Sequence, residues 1–542
     1  MIRYVAILFL LLAGASFAQD VARMDEVVQS YVSGKQFMGS ILVARGDQVL
    51  LSKGYGAANL EWDIANTPST KFRLGSITKQ FTAASILLLE ERGKLKVEDP
   101  VKKYLPDAPA AWDKITIQNL LTHTSGIPNF TGFPEYPSIE PFPKKPAELV
   151  ELFRSKPLDF PPGEKWSYSN SGYVLLGYLI EKISGESYEK FVQENIFAPL
   201  GMKDSGYDSH AAIILHRASG YAPDAQGPVN AGYIDMTIPF SAGGLYSTTG
   251  DLLRWEQGLF GGKLISAASL KKMTTPFKND YAFGLGVHDS AGRQVIEHSG
   301  GIEGFNTALV YYPADKFTVI VLSNLNGPAA DSIATKLGAL AHGEKVGLAS
   351  ERKEIPVSRQ VLAERVGTYQ FERGVNMLVT LDGDRLTTKL GNQQQVPIFA
   401  ESEDLFFAKV VDAEIEFGKD DKGKISYLIL HQNGHDQKAP RISDQAIAPP
   451  ERKEVKVAPK LLAEFQGTYR LQPGFDIVVT VEGDQLMTQA TGQSKFPLFA
   501  ESGTKFFAKV VDAQIEFVRN KDGKIDHLVL HQGGRDMQAP RQ

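Results

Sequence analysis

The sequence predicts an α+β domain, an antiparallel sheet flanked by helices, followed by two small antiparallel β-barrels in tandem. Three observations carry this prediction. Strand patterns stand at both ends of the first 345 residues with helical patterns between them, a 100-residue internal repeat begins at residue 351, and each copy is a turn-punctuated run of short strands. The 542 residues are 43% hydrophobic and 22% charged, an ordinary globular balance whose length suits about three domains. A net charge of -5 without a basic cluster argues against a nucleic-acid partner. The chain has no cysteine, which excludes disulfides and a lipidated cysteine anchor.

Residues 1–18 read as a secretory signal: Arg3 supplies the positive charge, residues 4–13 the apolar run, and Ser16-Phe17-Ala18 a small-x-small cleavage site. The run is short for a bilayer and polar Gln19-Asp20 follow it. The expectation is an exported protein, periplasmic or secreted, with an uncleaved signal anchor as the alternative. In the domain that follows, residues 19–345, a helix over 21–31 leads into a hairpin of 40–44 and 49–52 across Arg45-Gly46-Asp47. Helical segments dominate to about residue 200, and strands return at 294–298, 306–312 and 317–322. One sheet built from both ends of the domain places His298 in the layer of the hairpin that precedes Ser76.

The repeat covers 351–442 and 451–542, with Ala446-Ile447-Ala448-Pro449-Pro450 in the linker. Gly367-Thr368-Tyr369 returns as Gly467-Thr468-Tyr469, and Ala439-Pro440-Arg441 as Ala539-Pro540-Arg541. The offset is 100 throughout, and roughly half of the aligned residues are identical. Strands at 377–381, 385–389, 413–417 and 427–430, separated by turns such as Asp382-Gly383-Asp384, extrapolate to about eight per copy, enough to close a small barrel.

Chemistry concentrates at Ser76-Ile77-Thr78-Lys79. Residues at i and i+3 share a helix face, so the Lys79 amine can take the Ser76 proton, and a serine needs such a base to become a nucleophile. Ser-x-x-Lys occurs five times, beginning at Ser76, Ser187, Ser269, Ser350 and Ser502. Only Ser76 opens a helix as apolar as residues 81–89, whose burial lets a lysine lose its proton near neutrality. Two further groups can complete the site. Tyr168-Ser169-Asn170 precedes an apolar helix at 173–183 and offers a phenol to share a proton and an amide to bind substrate, or else a plain helix cap. His298-Ser299-Gly300-Gly301 ends a strand and enters a glycine-rich turn, where the backbone can approach a substrate and leave an N–H for an oxyanion, or else it is a plain hairpin turn. None of the ten histidines has metal-ligand spacing, so no metal site and no cofactor are expected.

Taken together, Ser76-x-x-Lys79, Tyr168-x-Asn170 and His298-x-Gly300 resemble the three-motif signature of serine penicillin-recognising enzymes: class C β-lactamases, DD-carboxypeptidases, D-aminopeptidases and related esterases. Leu120-Leu121-Thr122-His123-Thr124-Ser125-Gly126 and Gly243-Gly244-Leu245-Tyr246-Ser247 match that group as well. The tandem barrels are similar to those of its D-aminopeptidases. The resemblance implies that Ser76 attacks a carbonyl while Lys79 and Tyr168 manage its proton. It further implies that the Ser76 and Gly301 N–H groups hold the oxyanion, and that Asn170, His298 and Gly300 line the substrate. β-Lactamases typically carry lysine where His298 stands, which moves the expectation toward peptidase or esterase. The expected function is an exported serine acyl hydrolase acting on a small amide or ester, such as a D-amino-acid peptide or a carboxylic ester. The alternatives are a β-lactamase or a slowly acylating penicillin-binding sensor without turnover; an adhesin with a relic hydrolase domain fits the complete motif set poorly. The partner expected is a small-molecule or short-peptide substrate, with a homo-oligomer allowed.

Overall fold

A computed structural model describes residues 21–133, 135–224, 227–371, 375–391, 393, 395–409, 413–432, 435–446, 454–472, 475–490, 495–508, 513–532 and 535–541. The signal segment 1–18 and linker residues 447–450 lie outside the described residues, as do 410–412 and 510–512 of the repeat. The chain divides into two compact units, one formed mainly by residues up to 346 and the other mainly by those from 347 onward.

The first unit is built on a six-stranded antiparallel sheet. Its spatial order is Gly286–Ser290, Arg293–Ile302, Phe305–Tyr312, Phe317–Ser323, Gly39–Arg45 and Gln48–Tyr55. Both ends of the domain contribute, as the sequence predicts, because the N-terminal hairpin pairs with the last strand through Gly39–Ser323 to Arg45–Phe317. Residues Phe317–Ser323 are all buried, so this central strand reads as a continuous apolar run rather than an alternation. The Thr249–Phe260 and Ala329–Ala341 helices pack on it. The helix Thr78–Glu91 is buried from Thr78 to Leu89 and packs against Asn170–Ser184 and Phe240–Gly243. Phe81 lies 4.1 Å from the Trp255 ring, whose indole N–H donates to the Gln80 side chain at 2.8 Å. These contacts anchor the helix immediately after Lys79.

One local expectation is corrected. The strand carrying His298 does not end there: it continues through Gly300 and Gly301, paired with Thr307 and Asn306, and turns only at Gly304. The glycines serve close approach, not a turn. A Cβ on Gly300 would sit 2.0 Å from the Leu74 carbonyl oxygen, which also accepts a 2.7 Å hydrogen bond from the Thr307 hydroxyl.

In the second unit, eight consecutive strands from Gly367–Gln370 to His435–Ser443 form a closed barrel. Another eight, Gly467–Gln472 to Arg535–Pro540, follow the same order and close through the Tyr469–Arg541 bridge. The fold class is therefore the one the sequence predicts. Side chains fill both interiors, among them Leu386, Phe406, Ile415 and Phe417 in the first and Leu486, Phe506, Ile515 and Phe517 in the second. The copies differ inside. Arg365, 1% exposed and bonded to Asp404 at 2.5 Å, is replaced by Phe465, stacked 4.4 Å from Phe517, with Thr504 where Asp404 stands.

Candidate active site

Ser76 sits in the 3-10 turn Gly75–Ile77 that opens the Thr78–Glu91 helix. Gly75 has φ +54°, and a Cβ there would lie 2.9 Å from the Gly301 nitrogen, so the turn runs directly beside the glycine edge of the sheet. Lys79 is fully buried, and its Nζ lies 2.9 Å from Ser76 Oγ, 2.9 Å from Asn170 Oδ1 and 2.8 Å from the Ala242 carbonyl oxygen. Burial pushes the amine well below the ordinary lysine range. Among the described residues no carboxylate forms an ion pair with it. The Tyr168 and Tyr173 rings lie 4.8 and 5.5 Å from Nζ.

Tyr168 precedes the helix Asn170–Ser184, with its side chain close to Ser76. Burial raises the phenol, and the nearby Ser76 hydroxyl partly offsets that rise. Ser169 does cap the helix, accepting from Gly172 N–H at 3.4 Å, so the cap and the contact with Lys79 coexist on adjacent residues. Asn170 Nδ2 donates to Thr131 Oγ1 at 3.1 Å, which orients its oxygen toward Lys79.

His298, 8% exposed, donates from Nδ1 to the Ser299 carbonyl at 2.6 Å and accepts at Nε2 from the Tyr281 hydroxyl at 2.9 Å. Burial, then the nearby Lys79, bring its pKa down to about 3, so the ring is neutral across the physiological range. Its ring centre is 6.5 Å from that of Tyr168. Ser76, Lys79, Tyr168, Asn170, His298 and the Gly300-Gly301 edge thus converge from three separate stretches of chain. Elsewhere the tetrapeptide does other work. Ser187 caps a helix through Lys190 N–H at 3.2 Å while the Lys190 amine goes to Glu186, Lys272 bonds Glu90 at 3.0 Å, and Ser502 takes the Lys505 N–H at 3.1 Å.

Sequence reasoning missed Ala242 and Tyr281. A backbone carbonyl carries no side-chain signal, and Tyr281 follows the turn residues Asn279 and Asp280 with no motif of its own. Among the described residues no group of three or more His, Asp or Glu side chains is disposed to hold a metal ion, and no helix is long and apolar enough to cross a membrane.

Residues 24–343 match the beta-lactamase family, and residues 351–442 and 451–540 each match a domain of unknown function, DUF3471. A penicillin-binding protein of Bacillus subtilis (strain 168) is 31% identical over 434 residues, covering 75% of this chain and 95% of the relative. The octameric penicillin-binding protein homologue from Pyrococcus abyssi superposes with a TM-score of 0.56 at 27% identity, over 78% of this chain and all of that one. A D-amino acid amidase from Ochrobactrum anthropi SV3, at TM-score 0.51 and 24% identity over 56% of this chain and 92% of its own, shares the fold. The chain belongs to the beta-lactamase family, a family of serine hydrolases.

Proposed function

We propose that this protein is an exported serine hydrolase that works through a covalent acyl-enzyme on a small amide or ester, either a D-amino-acid peptide or a carboxylic ester. The observation that carries the proposal is the buried Lys79 amine 2.9 Å from Ser76 Oγ. A neutral amine has two N–H donors and one lone pair. Asn170 Oδ1 and the Ala242 carbonyl accept the two donors, which leaves the lone pair for the Ser76 hydroxyl proton. Ser76 is then the nucleophile and Lys79 the base, with Tyr168 passing the proton onward to the leaving group. The Ser76 and Gly301 N–H groups hold the oxyanion, each worth roughly 3 kcal/mol of barrier. Asn170, His298 and Gly300 line the acyl side. Water releases the acyl group, activated by the Tyr168–Lys79 pair.

Neutral His298 offers no fixed cation for a drug carboxylate, which favours peptidase or esterase over β-lactamase. The penicillin-binding relatives favour a second reading, a protein that acylates and does not turn over. The octameric homologue supports a homo-oligomer. The test is hydrolysis of p-nitrophenyl esters, D- and L-aminoacyl p-nitroanilides, D-Ala-D-Ala peptides and a chromogenic cephalosporin, each with a Ser76→Ala control. Sustained turnover lost in Ser76→Ala supports hydrolysis, and a burst without turnover supports the second reading. Full activity of Ser76→Ala on every substrate turned over rejects the mechanism.

A further inference from the structure

His123 lies in the Leu120 to Gly126 stretch, to which the proposed mechanism gives no role. It is 1% exposed and has φ +56°, a left-handed conformation that costs a non-glycine residue about 1 kcal/mol. The threonines on either side hold the turn: Thr122 N–H donates to the Gln118 carbonyl at 3.0 Å and Thr124 N–H to the Asn119 carbonyl at 2.9 Å, and the two hydroxyls lie 2.9 Å apart.

What this turn presents is a clamp around one residue. The His123 carbonyl accepts the Ser167 N–H at 2.9 Å, and its Nδ1 accepts the Ser169 N–H at 3.1 Å. The backbone is therefore gripped on both sides of Tyr168 by one residue 46 positions away. The ring packs on the Tyr168 ring with centres 4.3 Å apart, and on Tyr281 and Tyr173 at 4.7 and 5.1 Å. With Nδ1 accepting, the proton sits on Nε2, and that buried nitrogen has no hydrogen-bond partner. A ring kept only for packing gains nothing from an unpaired buried N–H, so the retained feature is the Nδ1 acceptor.

We infer that His123 is a positioning residue that fixes Tyr168 against the Ser76–Lys79 pair by clamping residues 167 and 169. This rests on the reading of Tyr168 as a proton carrier given above. Misplacing a proton-transfer group by about 1 Å costs on the order of 100-fold in rate, so the clamp is expected to act on the rate of acylation rather than on substrate affinity.

Five variants of the full chain separate this from a structural role. Asparagine places an amide oxygen where Nδ1 stands and tolerates positive φ, whereas glutamine carries the same amide one carbon too far and phenylalanine keeps the ring without the acceptor. The readouts are the rate of Ser76 modification by a fluorophosphonate probe, measured by intact mass, kcat and KM on p-nitrophenyl butyrate, and the melting temperature. His123→Asn is expected within about threefold of the parent, while His123→Gln and His123→Phe lose about 10- to 100-fold in labelling rate and kcat with KM within about threefold. Combined with Tyr168→Phe, the His123→Phe change is expected to add less than about threefold, because both act through one group. If rates follow melting temperature across the variants, with His123→Asn no better than His123→Gln, the inference is overturned. Parental rates in His123→Gln beside an impaired Tyr168→Phe overturn it alone. A Tyr168→Phe variant with the parental rate overturns the reading of the site and this inference together.

Discussion

Replacing Lys79 by methionine removes the amine and keeps most of the side-chain volume, so it tests the base without opening a cavity. Loss of a positioned base costs about 100- to 10,000-fold, or on the order of 3 to 5 kcal/mol of barrier. The stability effect is smaller and has two opposed parts. The Asn170 oxygen and the Ala242 carbonyl lose a donor that stood at 2.9 and 2.8 Å, each orphaned acceptor costing about 1–3 kcal/mol. Against that, the variant no longer buries an amine that the unfolded chain keeps protonated. Burial depresses the folded pKa below its ordinary 10.5, so between the two values the unfolded chain binds more protons and the parent gains stability as pH rises. Relative to the parent, Lys79→Met is therefore most stable at low pH and loses ground toward pH 10.5. The assay is the second-order rate of Ser76 modification by a fluorophosphonate across pH, with chemical denaturation at matched pH. The parent rate should rise with pH through an acid limb set below the usual amine range, and the variant should lack that limb. A Lys79→Met protein that labels within threefold of the parent at neutral pH would refute the assignment of Lys79 as base.

Gly300→Ala should cut the labelling rate about 100-fold and lower stability by about 1–3 kcal/mol. The new Cβ meets the Leu74 oxygen at 2.0 Å and must push the glycine edge away from Ser76; an alanine variant with parental rate and melting temperature would contradict this. Glu256 is 2% exposed, its Oε2 has no partner, and burial raises its carboxyl to about 8. A raised carboxyl stabilises below its unfolded value of 4.5 and loses that contribution as pH climbs to about 8, so Glu256→Gln should flatten a decline of a few kcal/mol in denaturation free energy over that interval. In the first barrel, Arg365→Phe should destabilise by about 1–3 kcal/mol because Asp404 loses a buried partner, and adding Asp404→Thr should recover most of it by recreating the Phe465 and Thr504 pairing of the second copy. Thermal unfolding of the full chain reads both, and additive losses would show that the two positions are uncoupled.

Local period and repetition fix much of this protein in its sequence. The alternation of Ile415 and Phe417 with Glu414 and Glu416 sets one face of a strand inward whatever lies around it, and the 100-residue offset states it twice. The i, i+3 relation of Ser76 and Lys79 is likewise local, and the three motifs together identify the family. What the sequence leaves open is the surroundings of the Lys79 amine, because they depend on full burial and on acceptors 91 and 163 residues beyond it, at Asn170 and Ala242. The same holds for the straight run of strand through Gly300 and Gly301, since the need for glycine comes from the Leu74 carbonyl across the gap. It holds too for Tyr281 on His298 and His123 around Tyr168. A period can place a side chain on a face, but only the packed tertiary structure removes the water that would otherwise keep Lys79 an ordinary cation.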